Sequence, residues 1–129
     1  MFRIVIDTNV IVAALRSRRG SSFELLMLLG DPRFKSNISV ALAFEYEEVL
    51  KRYKNEIKLT DREIEEFVSY ICSKSILCEI FYLWRPALPD AEDDFILELA
   101  IESNAEFIVT FNLRDFSGRR ELWRQGYKT

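Results

Sequence analysis

The sequence has no histidine, two cysteines, three prolines and four glycines. The missing histidine removes Ser-His and Cys-His nucleophilic schemes and any imidazole acid-base pair. Whatever chemistry occurs must rest on carboxylates, metal ions, lysines or tyrosines. Cys72 and Cys78 share one segment, with five residues between them. Without histidine or a second cysteine pair they are too few for a zinc site. A disulfide is not expected in a reducing compartment, so two buried or half-buried free thiols are expected. Scarce Gly and Pro, with a hydrophobic content of 49%, argue against disorder and low complexity. Long apolar runs are also missing. None reaches the length of a membrane span, and the chain does not open with the organisation of a signal peptide. A cytoplasmic protein with no membrane partner is expected.

What is there suits one compact domain over residues 1–129, long enough to bury a single core. A net charge of -3 and a pI near 5.1 give no global attraction to nucleic acid. That counts against a simple nucleic-acid-binding module. It leaves room for an enzyme that gathers carboxylates around metal ions, because the ions supply the positive charge.

Strand and helix signals alternate along the chain. Phe2 to Ile6 is a short, β-branched apolar run that stops at Asp7, the pattern of a buried strand. Asn9 to Leu15 reads as a helix, and Ser22 to Leu29 as a second one ended by Gly30 and Pro32. Phe34 to Ile38 reads as a short strand, and Ser39 can cap a helix running to about Tyr53. Thr60 and Glu63 have capping-box spacing and open a helix to about Ser73. Ser75 to Leu83 reads as a strand, Asp93 to Ser103 as a helix and Glu106 to Thr110 as a strand. A last helix is expected over Gly118 to Arg124. Such alternation implies an α/β fold with a parallel sheet covered on both faces.

Ligands of open parallel sheets bind at the carboxyl ends of the strands, which is where Asp7 falls. Alone, it reads equally as a site residue or as part of a helix cap with Thr8 and Asn9. Glu45 lies at steps of four between Ala41 and Val49, which places a carboxylate on an apolar face. The bland reading is a solvated Glu45 to Glu48 cluster. Asp90, Glu92, Asp93 and Asp94 crowd a helix start, where the helix dipole itself favours negative charge. Asp93 shares a stripe with Leu97, Ala100 and Ile101, whereas Asp94 and Glu98 point elsewhere. Asp93 is therefore the preferred candidate, with Asp90 reaching in from the loop. After Phe107-Ile108-Val109, Thr110, Asn112 and Asp115 bring polar groups to another strand end, though a turn explains them equally well.

In this order the four groups resemble the PIN domain family of nucleases, and within it the branch related to VapC toxins of toxin-antitoxin systems. The matching strings are Ile4-Val5-Ile6-Asp7-Thr8-Asn9-Val10, Ser39 followed by Glu45, Asp90 to Asp94 followed by Leu97 to Ala100, and Ile108-Val109-Thr110 running to Asn112, Asp115 and Phe116. The resemblance covers almost the whole chain. It implies a three-layer α/β/α sandwich and an acidic pocket holding Mg²⁺ or Mn²⁺ for hydrolysis of RNA phosphodiesters. It puts Asp7, Glu45 and Asp93 in the metal-binding set, and Thr110, Asn112 and Asp115 near the family's fourth acid. A small antitoxin partner and a homodimer are also implied.

Two departures stand out. The usual Thr-x-Asp is here Thr110-Phe111-Asn112, an amide in place of a carboxylate, which Asp115 would have to replace. The chain also ends at Gly126-Tyr127-Lys128-Thr129, about where a last edge strand would begin, so that strand is expected to be short or missing.

Carboxylates suit hard cations, and a bound cation lowers the pKa of a coordinated water. Asp7, Glu45 and Asp93 would ligate the first ion, and Asp90 and Asp115 a second. Thr8, Asn9, Thr110 and Asn112 would orient ligands, water or phosphate. RNA would need local positive charge, for which Arg16, Arg18, Arg19, Lys51, Arg52, Lys54 and Arg114 are candidates; each cluster reads equally as a solvated face, and Arg114 is preferred for its place in the fourth motif. Two rivals remain. A phosphatase of related architecture would want a second Asp at position 9, where Asn9 stands. A degenerate PIN-like domain that only binds RNA or protein is suggested by Asn112.

Overall fold

A five-residue strand lies at the centre of the sheet, paired on both edges and buried over its last three residues. In the computed structural model, which describes residues 2–79 and 91–111 and only the backbone of 91–95, this strand is β1 (Phe2–Ile6). Ile4, Val5 and Ile6 are buried, so the second half of the strand is a continuous apolar run without alternation, while Phe2 and Arg3 are exposed. β1 pairs in parallel with β2 (Phe34–Ile38), with Phe2 opposite Phe34 and Ile4 opposite Ser36. On its other side it pairs in parallel with β4 (Phe107–Val109), with Ile6 opposite Val109. β3 (Ser75–Leu77) pairs with β2, giving the order β3-β2-β1-β4. The expected parallel α/β fold is present. Parallel strands require crossovers, and helices supply them.

Asp7 ends β1 and opens α1 (Thr8–Arg16), whose Thr8, Val10, Ile11, Val12, Ala14 and Leu15 are buried. α2 (Ser21–Met27) packs on α1 and gives way to Gly30, whose φ of 98° suits a residue without a Cβ. β2 carries polar residues into the interior, and Asn37 answers for itself by donating to the carbonyls of Ile4 and Lys35. α3 (Val40–Arg52) starts as expected at Ser39, whose hydroxyl accepts the Leu42 N–H at 3.1 Å. A four-residue helix, α4 (Lys54–Ile57), follows and closes on Lys58 in the left-handed region. α5 (Asp61–Ser73) has the expected capping box: Thr60 and Glu63 each accept the other's backbone N–H. α6 (Ala91–Ser103) packs on β1 and β2.

Several boundaries differ from expectation. β3 is three residues long, because the chain after Leu77 leaves β2 with one further bond, Cys78 N–H to Ile38 O. Residues 80–83 of the expected strand lie outside the described residues, as does the expected helix over Gly118 to Arg124. α4 was not expected, since four residues carry too little periodicity to register. Cys72 and Cys78 are free and half-buried, as expected. Burial pushes both thiols above the usual cysteine range. Among the described residues, no helix is long and apolar enough to cross a membrane.

Candidate active site

The end of β1 delivers Asp7 to the carboxyl edge of the sheet. Its backbone is extended, with its N–H donating to Val109 O of β4 at 2.9 Å and its carbonyl accepting the Val10 N–H at 3.0 Å. Asp7 occupies the N-cap position of α1, yet its side chain makes no capping bond. A capping aspartate spends its carboxylate on the N–H groups of the first turn. Here the carboxylate accepts from Thr110 Oγ1 across the sheet end, at 2.7 Å. Of the two readings left open by the sequence, the side-chain cap is not formed. Asp7 is 6% exposed, and a carboxylate so buried needs donors or cations around it.

Glu45 arrives from α3. Thr8 Oγ1 donates to Glu45 Oε2 at 2.5 Å, which joins the first turn of α1 to the middle of α3. The next residue, Tyr46, is fully buried, and its hydroxyl donates to the carbonyl of Ile6, immediately before Asp7. Desolvation raises the Tyr46 phenol well above its ordinary pKa, and the charges of Asp7 and Glu45 raise it further. Both carboxylates therefore sit within electrostatic reach of one buried hydroxyl.

The route to Glu45 differs from the sequence reading. Ala41, expected to flank it on an apolar face, is exposed, and Val49 is half-buried. The buried stripe of α3 is Leu42, Tyr46 and Leu50, one position further round. Glu45 lies at the edge of that stripe, near enough to the sheet end for its long side chain to reach Thr8.

The β4 end supplies the third corner. Asn9 Nδ2 donates to Thr110 Oγ1 at 3.4 Å, and Asn9 Oδ1 accepts the Phe111 N–H at 3.3 Å. Thr8, Asn9 and Thr110, expected as supporting polar groups, thus converge with Asp7 and Glu45. Asp93 lies in the first turns of α6, the helix that packs on β1 and β2; its side chain is outside the described set. Asp90, Asn112, Arg114 and Asp115 also lie outside the described residues. Among those described, no cluster of three or more His, Cys, Asp and Glu side chains is present.

Two further expectations change. Glu98, read as pointing away from the apolar stripe, is 1% exposed. Over Ile96 to Ile101 every position of α6 is buried, Glu98 included, so this stretch has no outward face to assign. Arg16, a candidate RNA contact, is engaged with Glu56, Nε to Oε1 at 2.9 Å, and lies 4.9 Å over the Tyr53 ring. Lys51 pairs with Glu65 and Glu47, Arg52 with Glu48, and Lys54 with Asp61. Among the described residues, these helix-borne cations are thus matched by carboxylates. Tyr46 is the residue that sequence reasoning missed. Its signal was its step of four from Leu42 and Leu50, read beside Glu45.

This fold and site define a class. The PIN domain family matches residues 3–114, and the chain belongs to that family, whose members are generally nucleases using divalent metals. Among solved structures, the crystal structure of VapBC2 from Rickettsia felis bound to a DNA fragment from their promoter contains a similar chain. It aligns with a TM-score of 0.63 and 20% identity, over 90% of this chain and 92% of that one. At that identity the likeness speaks for the fold. No curated protein sequence matches the chain.

Proposed function

We propose that the protein is a divalent-metal-dependent endoribonuclease that hydrolyses RNA phosphodiesters, built as a single PIN-like domain, and acts as the toxin of a toxin-antitoxin pair. The observation that carries this reading is the buried Asp7 carboxylate, held by Thr110 at the carboxyl end of the central strand instead of capping α1. Glu45 reaches the same end through Thr8. The described donors are all oxygen, with no imidazole in the chain, a set that fits Mg²⁺ or Mn²⁺ and not a soft metal. Asp7, Glu45 and Asp93 would hold one ion, with Asp90 and Asp115 completing the acidic set. Such an ion, when bound, lowers the pKa of a coordinated water and neutralises phosphate charge.

The chain's own groups have distinct tasks. Thr8 and Thr110 spend their hydroxyl protons on the two carboxylates and hold them in their acceptor form. Tyr46 fixes the backbone before Asp7. Arg114, directly beyond the β4 end in sequence, is the proposed phosphate contact, since Arg16 is already paired. An antitoxin and a homodimer accompany the reading, supported by the sequence resemblance to VapC toxins, and for the antitoxin by the shared fold of the Rickettsia felis VapBC2 chain; a cytoplasmic setting is proposed with them.

The test is Mn²⁺-dependent cleavage of RNA by the purified protein and by Asp7→Asn. Cleavage by the wild type that falls by about 100-fold or more in the variant is expected, because a direct ligand should exceed the 10–100-fold of supporting groups. Undiminished cleavage by Asp7→Asn would sink the proposal. A second reading, a binding module without catalysis, is favoured by Asn112 in the place of an acid. RNA binding with no Mn²⁺ uptake in a titration would select it.

A further inference from the structure

The side-chain amide of Asn9 is bonded at both ends to the segment leaving β4. A backbone N–H can only donate, so the Phe111 N–H, 3.3 Å from Asn9 Oδ1, fixes which end of the amide is oxygen. The NH₂ end then faces Thr110 Oγ1 at 3.4 Å. A threonine hydroxyl carries one proton, and an oxygen already receiving an N–H is turned to donate elsewhere. That proton goes to Asp7 Oδ2 at 2.7 Å. The result is a one-way chain from the Phe111 amide through Asn9 and Thr110 to Asp7. Both Asn9 links are long for N–H···O bonds, so they contribute direction more than strength.

We propose that Asn9 is a positioning residue of the site: through Thr110 it orients the Asp7 carboxylate as an acceptor, and it ties the β4 exit to the β1 exit. The inference rests on the metal-nuclease reading above and deepens it. The chain runs between residues about a hundred positions apart in sequence, so it locks together two motifs that strand pairing alone only brings near. It also gives position 9 a need for both an acceptor and a donor. Asparagine meets that need. Aspartate, with no donor, would reverse the Thr110 hydroxyl and set a second negative charge beside Asp7.

The experiment is a double-mutant cycle of Asn9→Ala and Thr110→Val on the full chain. Mn²⁺ affinity is read by calorimetry, kcat and KM on RNA, and exchange of the Phe111 amide by NMR. Asn9→Ala is expected to weaken Mn²⁺ binding about tenfold, in the range of groups that orient a metal ligand. The loss should fall on kcat with KM little moved. Added to Thr110→Val it should weaken binding no further, because its effect passes through the hydroxyl. In a Thr110→Ser background, where the hydroxyl survives, the Asn9→Ala loss should return. The Phe111 amide should exchange faster in Asn9→Ala. Additive losses in the cycle, or unchanged Mn²⁺ affinity in Asn9→Ala, would overturn the proposal. If Asn9→Ala does not fold, Asn9→Ser, shorter by the amide, takes its place. If the wild type neither binds Mn²⁺ nor cleaves RNA, the nuclease reading fails. The chain is then judged in metal-free protein by the Asn9 side-chain amide resonance on Thr110→Val: a shift upholds it, and an unmoved signal overturns it.

Discussion

The two carboxylates of the site are held in unlike ways. Asp7 directly follows the central strand, whose last residues Val5 and Ile6 pair with Ile108 and Val109. Its backbone N–H is bonded to Val109 and its carboxylate to Thr110. A short side chain on so constrained a backbone has little freedom left. Glu45 stands on a helix, half-buried, at the end of a longer and more flexible side chain that takes a hydrogen bond from Thr8. One acid is fixed by the sheet, and the other is steered from the helix layer. On the proposed metal-nuclease reading, that difference would give Asp7 the anchoring role and Glu45 an adjustable one.

The sharpest way to break that comparison is to remove each charge without changing shape. Asp7→Asn is expected to cost well over about 100-fold in Mn²⁺ affinity and RNA cleavage, and Glu45→Gln, at a direct ligand on a more flexible side chain, roughly 100-fold. Calorimetry and a cleavage assay on both proteins check the ranking. Equal losses, or a larger one for Glu45→Gln, would show that the strand end is not the anchor.

Tyr46 joins the two corners, since it follows Glu45 in α3 and its hydroxyl grips the carbonyl before Asp7. Tyr46→Phe keeps the ring in the core and removes that bond. A loss of about 1–2 kcal/mol in urea unfolding is expected, the usual cost when a buried hydrogen bond is broken. Mn²⁺ affinity should fall by only a few fold, less than in either carboxylate variant. A change in stability with no change at all in metal affinity would mean that the corners are positioned independently.

How far the sequence revealed this arrangement depends on the range of the interaction. The apolar run ending at Asp7, the Ser39 cap and the Thr60–Glu63 box are local, and all were legible. Glu45 was found by a stripe whose phase was one residue off, because Ala41 is too small and neutral a residue to mark a buried face. Glu98 was misread because every position from Ile96 to Ile101 is buried, so periodicity carried no information there. The bonds from Thr110 to Asp7 and from Tyr46 to Ile6 join residues 103 and 40 positions apart. No spacing rule encodes them; they exist only once the strands have paired. The family resemblance implied that the four motifs converge, while geometry shows that the Asp7 side chain, at the N-cap position of α1, makes no capping bond and accepts from Thr110 instead.

A last variant asks whether the site corners can be separated from the rest of the molecule. The α5 capping box involves none of the residues gathered at the sheet end. Thr60→Ala should cost about 1 kcal/mol of stability, as cap removals do, and leave Mn²⁺ affinity unchanged. The same box gives a pH signature of its own. The Thr60 backbone N–H, and after it the Thr60 side chain, hold Glu63 below the ordinary glutamate range. A carboxyl with a lowered folded-state pKa adds stability that is complete above its unfolded value and is lost as pH falls through the folded one. Glu63→Gln keeps a side-chain oxygen for the box and removes only the charge. Urea midpoints of wild type and Glu63→Gln should therefore differ most near neutrality and converge in acid. A gap that widens on acidification would show that Glu63 is not held as a charged cap, and the distinction between local cap and long-range site would lose its control.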